Sequence, residues 1–203
     1  MKKIILSIVA VLGLGFANAQ DTATEGGFAN GDAFISGGFS FGSTKNGDFK
    51  ESSFQIAPSV GFFVTPNIAL GGRVGYASES ENDLVGASLV ETTVSTFGVG
   101  VFGRYYTTPA SKFSIFGELG FVYETAKVGD DSPGSEDSKA NGFGIELAPG
   151  VSYFLSKNFA LEAKWGVLGY SSAKADVEGA EATNNFSIGL NLSDISFGLV
   201  YKF

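Results

Sequence analysis

The chain has 203 residues, 14% of them aromatic, with 29 glycines, no cysteine, no histidine and a formal net charge of −8 at pH 7. This composition fits one domain rich in strands and turns. It excludes disulfide staples and lipid attachment through cysteine, and an acidic chain without a basic stripe is excluded as a nucleic-acid binder.

At the N-terminus, Lys2 and Lys3 precede an apolar run from Ile4 to Phe16, and Ala17-Asn18-Ala19 supplies the small residues of a signal-peptidase site. Residues 1–19 therefore read as a cleaved signal peptide, with the mature chain starting at Gln20. The run is shorter than the ~20 apolar residues of a spanning helix, and no second run follows it. Loss of Lys2 and Lys3 leaves 11 basic residues against 21 acidic ones, a net charge of −10. An acidic lead over 20–32 then gives way to segments of period two.

Strand one, from about Ala33 to Phe41, has Phe34 in one phase and Ile35, Phe39 and Phe41 in the other, so its facing is open. Strand two sets Phe54, Ile56, Pro58, Val60, Phe62 and Val64 on one face. The short turn Thr65-Pro66-Asn67 leads to strand three, with Ile68, Leu70, Val74 and Tyr76 opposite Ala69, Gly71, Arg73 and Gly75. Strand four shows Phe97, Val99, Val101 and Tyr105; strand five, across the turn 107–112, shows Phe113, Ile115, Leu119, Phe121 and Tyr123. Strand six carries Phe143, Ile145, Leu147, Pro149, Val151 and Tyr153, and Ser156-Lys157-Asn158 turns into strand seven with Phe159, Leu161, Ala163, Trp165 and Val167. The last strand ends Ile195, Phe197, Leu199, Tyr201, Phe203. Short turns alternate with polar loops at about 42–52, 78–92, 125–141 and 172–183, as expected of a membrane barrel with short turns on one side and long loops on the other.

Alternation also marks soluble sandwiches and lipocalin-like barrels. Two details favour lipid. The apolar face is large and aromatic, whereas the other face holds small residues interrupted by Arg73, Arg104, Glu118, Glu146, Glu162 and Lys164, the reverse of a soluble barrel with a greasy interior. Aromatic residues also gather beside the short turns, namely Phe62, Phe63, Tyr105, Tyr106, Phe113, Tyr153, Phe154, Phe159, Tyr201 and Phe203, in the manner of an interfacial girdle.

The stretch from Ile56 to Leu70 repeats without gaps in the stretch from Leu147 to Leu161, a hairpin around a short turn, and strands four and five form a looser third copy. With the first and last strands the count is eight. Phe186, Ile188, Leu190 and Leu192 occupy even positions and Ile195 to Phe203 odd ones, so the phase flips at Ser193-Asp194 and 184–203 reads as one long strand with a β-bulge. Pro58 and Pro149 cannot donate to a ladder, which predicts a bulge or kink at each.

For chemistry, the lack of histidine removes the usual general base of envelope hydrolases. Glu118, Glu124, Glu146 and Glu162 on the inner face leave a carboxylate pair open in principle. However, Arg73, Glu118 and Lys164 each lie five residues after the first apolar residue of strands three, five and seven, which brings opposite charges to one depth. Arg73, Arg104, Glu118, Glu162 and Lys164 are therefore expected to form a salt-bridged structural plug, since an unpaired charge in a narrow interior is costly. The acidic stretches 79–83 and 130–137 lack the spacing of an EF-hand and read as solvated loop tips.

Residues 32–203, with their hairpin pattern, charged lumen positions and the ending Phe197-Gly198-Leu199-Val200-Tyr201-Lys202-Phe203, resemble the small outer-membrane β-barrel proteins related to the OmpA transmembrane domain and OmpX. The resemblance implies an all-β fold, a closed eight-stranded antiparallel up-and-down transmembrane β-barrel, in the cell outer membrane. It implies a monomer in outer-membrane lipid, with no cofactor, metal or catalytic residue, and partners limited to the barrel-assembly machinery and external ligands at the loops. Phe203 matches the C-terminal aromatic that serves as the assembly signal. The function expected is a non-enzymatic barrel with a plugged polar lumen, serving envelope integrity or surface interaction; the alternative is a small pore or a hydrophobic-solute conduit.

Overall fold

The computed structural model describes residues 26–47, 49–85, 88–130, 137–189 and 195–203. The expected signal peptide, residues 20–25 of the lead, most of the acidic stretch 130–137 and the phase flip at Ser193-Asp194 lie outside the described residues.

Ten strands follow in chain order: β1 (Ala33–Asn46), β2 (Phe49–Phe63), β3 (Ile68–Val85), β4 (Ser88–Tyr106), β5 (Phe113–Asp130), β6 (Ser138–Phe154), β7 (Phe159–Lys164), β8 (Leu168–Ala175), β9 (Thr183–Ile188) and β10 (Ser196–Lys202). Consecutive strands pair antiparallel from β1 to β7, and β10 joins β7 to β1, which closes the ring. β7 and β8 both pair with β6 and are two halves of one strand; β9 and β10 pair with those halves and form the eighth. The barrel is thus closed, antiparallel and eight-stranded. Closure is a physical necessity in lipid, where no water can satisfy a free strand edge.

The outward residues define the membrane band. Along β5, the ten-residue step from Phe113 to Tyr123, at ~3.4 Å per residue and tilted by ~40°, rises roughly 26 Å, the height of an apolar barrel belt. Phe62, Tyr105, Phe113, Tyr153 and Phe159 mark its lower edge. Tyr76 pairs with Phe97, and Tyr123 with Phe143, at the upper edge. Above that edge the strands continue as paired ribbons: β3 and β4 stay in register from Ile68↔Tyr105 to Val85↔Ser88. Positions 78–92, expected as a polar loop, are therefore mostly strand, as are large parts of 42–52 and 125–141, whereas 176–182 connects β8 to β9 without strand, as expected. Both faces of these ribbons stand above lipid, so the apolar alternation that signals a strand vanishes while the backbone ladder persists.

The facing of β1 resolves, with Ile35, Phe39 and Phe41 outward and Phe34 and Ser36 buried inside. The doublets beside the turns split in the same way. Phe63, Tyr106 and Phe154, expected in the girdle, point inward and are fully buried, while Phe62, Tyr105 and Tyr153 face lipid. Adjacent residues of a strand take opposite faces, so one of each pair must enter the barrel. Inside, three rings each lie across a glycine on the neighbouring strand. Phe34 pairs with Gly61, Phe102 with Gly71 and Phe116 with Gly150, and a Cβ on any of these glycines would strike the ring.

The prolines act differently from each other. At Pro58 the β2–β3 ladder skips Ala57 and Pro58 but resumes in the same register, Ile56↔Tyr76 and Ser59↔Arg73, so there is a gap and no bulge. At Pro149 the bulge falls in the partner strand. Gly150 pairs with Lys164 and Leu147 with Leu168, which sets Trp165, Gly166 and Val167 against two residues of β6. The extra residue flips the phase, so that Leu168 and Tyr170 face outward after Leu161.

The lower end is sealed by the lead. Gly26 and Gly27, at φ 99° and 127°, turn the chain inward, and the Phe28 amide donates to the Pro109 carbonyl at 2.7 Å. The Phe28 ring stacks on Phe63 at 4.7 Å and meets Phe154, Phe34 and Tyr106 at 4.9–5.5 Å. Lys202 ties the lead to the last strand through the Gly27 carbonyl (2.7 Å) and Asp32 (3.4 Å). Phe28→Ala is expected to cost about 3–5 kcal/mol while sparing every strand ladder, since Phe28 lies outside the strands. The readout is a lower urea midpoint for loss of the heat-modifiable folded band; an unchanged midpoint would remove Phe28 from the core.

Candidate functional site

Above the aromatic floor, four strands converge their charges on one carboxylate. β3 supplies Arg73, β4 Arg104, β5 Glu118 and β7 both Glu162 and Lys164. Arg104 and Glu118 are direct cross-strand partners, so their side chains leave the same face of the sheet at the same height. Glu118 Oε1 accepts from Arg73 Nη2 at 2.5 Å and from Lys164 Nζ at 2.6 Å, and Oε2 accepts from Arg104 Nε at 2.5 Å. Arg104 Nη1 donates to Glu162 Oε2 at 2.9 Å and to the Tyr106 hydroxyl at 3.1 Å. That hydroxyl donates in turn to Glu162 Oε1 at 3.3 Å.

All five charged residues expected to meet in the lumen thus belong to one network. The common spacing of Arg73, Glu118 and Lys164 from their strand starts corresponds to two direct ion pairs on one carboxylate oxygen. Tyr106 and the rings around Arg104 were not legible from that spacing. The guanidinium lies 4.8–5.6 Å from the centroids of Phe116, Phe102 and Phe34. The signal that could have found them is the phase of Phe102, Tyr106 and Phe116, opposite to that of their lipid-facing neighbours.

The geometry shows what the cluster can do. Three cations engage the two oxygens of Glu118 and fill three of its roughly four acceptor sites, and the side chain is 1% exposed, which shields it from a solute in the lumen. Glu124 and Glu146 sit apart from it, lining a cavity of about 270 Å³ between β5, β6 and β8. Among the described residues, no group of three acidic side chains is placed to hold a metal ion. A second, larger cavity of about 500 Å³ lies on the other side of Arg73, between the network and the β1–β10 seam.

The comparisons with known proteins agree with this architecture. No curated protein matches the sequence. Among solved structures, the outer membrane protein OprG from Pseudomonas aeruginosa superposes with a TM-score of 0.56 at 18% identity, covering 90% of this chain and 99% of that one. The N-terminal β-barrel domain of OprF from the same organism gives 0.44 at 12%, covering 87% and 100%. Ail, the attachment invasion locus protein of Yersinia pestis, gives 0.42 at 13%, covering 86% and 99%. The family model for the outer membrane protein beta-barrel domain matches residues 7–203. The chain, an eight-stranded barrel of the cell outer membrane, belongs to the outer membrane protein β-barrel domain family.

Proposed function

We propose that the protein is a non-enzymatic, non-conducting barrel that strengthens the outer membrane and presents its extended hairpins at the cell surface. The observation that carries this reading is the Glu118 network, which joins β3, β4, β5 and β7 across the lumen directly above a sealed aromatic floor. Arg104, Glu118 and Glu162 are buried, as are Phe28, Phe63, Tyr106 and Phe154 below them, so two successive levels oppose a water column. A non-enzymatic role is supported by the engagement of Glu118 and Glu162 with cations, which leaves neither poised as a general acid or base.

The surface role rests on the ribbons. β3, β4, β5 and β6 carry Glu79, Glu81, Glu91, Lys127 and Lys139 beyond the membrane band. A rigid ribbon presents such side chains at lower entropic cost than a loose loop, which favours contact with external ligands. In this reading the chain works as a monomer, and its terminal Phe203 serves recognition by the barrel-assembly machinery.

Steady single-channel currents should be absent in planar bilayers containing the purified barrel; reproducible unitary steps would overturn the plug. Glu118→Gln leaves Arg73, Arg104 and Lys164 short of a shared counter-charge and is expected to cost about 3–5 kcal/mol of stability. Glu124→Gln, at an exposed carboxylate outside the network, should stay within about 0.5 kcal/mol. Urea titrations of the two variants side by side give the comparison, and equal midpoints would deny the network its structural role.

A further inference from the structure

Of the basic residues that follow the expected signal peptide, five stand in the ribbons above the membrane band: Lys45, Lys50, Lys127, Lys139 and Lys174. Each lies four residues beyond the outermost outward-facing aromatic residue of its own strand, namely Phe41 on β1, Phe54 on β2, Tyr123 on β5, Phe143 on β6 and Tyr170 on β8. The ladders run without a bulge from Phe41↔Phe54 to Lys45↔Lys50, from Tyr123↔Phe143 to Lys127↔Lys139 and from Ile145↔Tyr170 to Asn141↔Lys174. An even spacing along an unbroken strand keeps a side chain on one face, so all five lysines point outward. The opposite phase of the same ribbons carries Glu51, Glu79, Glu81 and Glu124 and, among the described residues, no lysine or arginine.

The outer face is layered by depth. Two residues above the aromatic edge come uncharged polar side chains such as Ser43, Thr125 and Ser172, and at four residues the lysines. At six stand Glu91, Asp137 and Asp176, counted from Phe97, Phe143 and Tyr170. At ~3.4 Å per residue and a tilt of ~40°, four residues rise roughly 10 Å above the aromatic edge. That is the outer side of the headgroup layer, and a lysine stem reaches back from there to phosphate depth. The acids stand farther out, on the water side of the cations.

The lysines are densest on the wall of β5, β6 and β8. Lys127 and Lys139 are direct cross-strand partners, and Lys174 pairs with Asn141, two residues from Lys139 on the same face. Like charges placed opposite each other destabilise a sheet, a cost that a shared anion removes. Lys127 has Asp137 at 3.6 Å, with both side chains more than half exposed. Lys139 and Lys174 have no ion-pair partner among the described residues; Asp176 gives its amide to the Lys139 carbonyl and leaves its carboxylate in solvent. Below the lysines, Phe143 meets Phe121 at 6.2 Å and Tyr170 at 6.0 Å between ring centroids, across the same three strands. The wall therefore joins an apolar ring surface to a cationic rim at the level of lipid phosphates.

We propose that this wall binds a phosphorylated lipid of the outer leaflet, with a phosphate monoester seated on Lys139 between Lys127 and Lys174 and acyl chains along Phe121, Phe143 and Tyr170. A phosphate monoester carries close to two negative charges at neutral pH, which answers adjacent lysines. A phosphodiester carries one and answers them less well. The site uses outward side chains alone, so it goes beyond the plugged lumen and does not depend on it.

The test is lipid retention by the intact barrel, released from phosphatidylcholine nanodiscs and counted by native mass spectrometry. The nanodiscs carry a small share of diphosphoryl lipid A, of its phosphatase-treated form or of phosphatidylglycerol. A lysine at an anionic surface is worth about fivefold in affinity, so the diphosphoryl lipid is expected to be retained at least tenfold over the other two. Lys139→Gln together with Lys174→Gln should bring that ratio below about twofold. Lys112→Gln together with Lys157→Gln, in the lower turns, should leave it unchanged. All four positions are exposed, so the folded gel band should persist in both variants. Equal retention of the phosphatase-treated form or of phosphatidylglycerol would overturn the proposal. So would a ratio that survives loss of Lys139 and Lys174, an equal fall on loss of Lys112 and Lys157, or displacement of the lipid by millimolar inorganic phosphate, which would make this a site for the free ion. Conductance depends on inward residues, so failure here leaves the plug standing.

Discussion

In a hydrocarbon layer every backbone amide and carbonyl must find its partner within the protein, and this requirement shapes the whole molecule. Seven of the eight interstrand contacts in the ring join strands that follow each other in the chain, each held by a turn or a hairpin. The eighth, between β1 and β10, joins the two ends of the chain and has no connecting turn to help it. It is reinforced from the side. Lys202 reaches both Gly27 and Asp32, the Phe203 amide donates to the Ala33 carbonyl, and Phe28 is drawn into the rings beneath. The lead is thus part of the closure, fastening the first strand to the last at the lower end of the β1–β10 ladder.

A barrel of eight strands has an interior that its own side chains must fill. This chain fills it on two levels with different chemistry. Near the floor, aromatic rings are seated over glycines of the adjacent strands, which converts missing side chains into slots. One level higher, charges replace rings. Burying ions is favourable only when their partners are complete, and here Glu118 is matched by three donors while Arg104 spans two carboxylates and a phenol. The two levels meet at Arg104, whose guanidinium bonds to carboxylates along its edge and faces the rings of Phe34, Phe102 and Phe116. Neither level could be exchanged alone, because the ring faces cover the same cation that the carboxylates neutralise.

What was readable in the sequence follows from where the two faces of a strand meet different solvents. Between the aromatic edges one face meets lipid and the other the lumen, so Phe97 to Tyr105 or Phe143 to Tyr153 alternate visibly and fix both strand and phase. Above the edges both faces meet water, and Glu79, Ser80 and Glu81 give no alternation although they are paired with Val94, Thr93 and Thr92. The inward rings were misassigned for a related reason. Phe63, Tyr106 and Phe154 neighbour lipid-facing aromatics in the chain, and only the strict period of two separates the two sets. The ion network was legible because Arg73, Glu118 and Lys164 keep equal distances from their strand starts. The bulge at Trp165–Val167 was hidden because Trp165 and Val167 continue the apolar phase of Leu161 and Ala163, while the extra residue shows only in the pairing with β6.

The two prolines of the repeated hairpin show how such register constraints are met. Pro149 in β6 has no amide to offer, and the strand formed by β7 and β8 carries one extra residue opposite it, at Trp165–Val167. That residue moves the outward phase from Leu161 to Leu168, so the strand keeps an apolar face to lipid on both sides of the bulge. Pro58 occupies the matching place in the first copy of the repeat, yet the β2–β3 ladder beside it resumes in the same register, from Ile56↔Tyr76 to Ser59↔Arg73. The same missing donor is thus absorbed once by leaving two residues unpaired and once by lengthening the partner strand, and only the second solution shifts the phase of the strand that faces it.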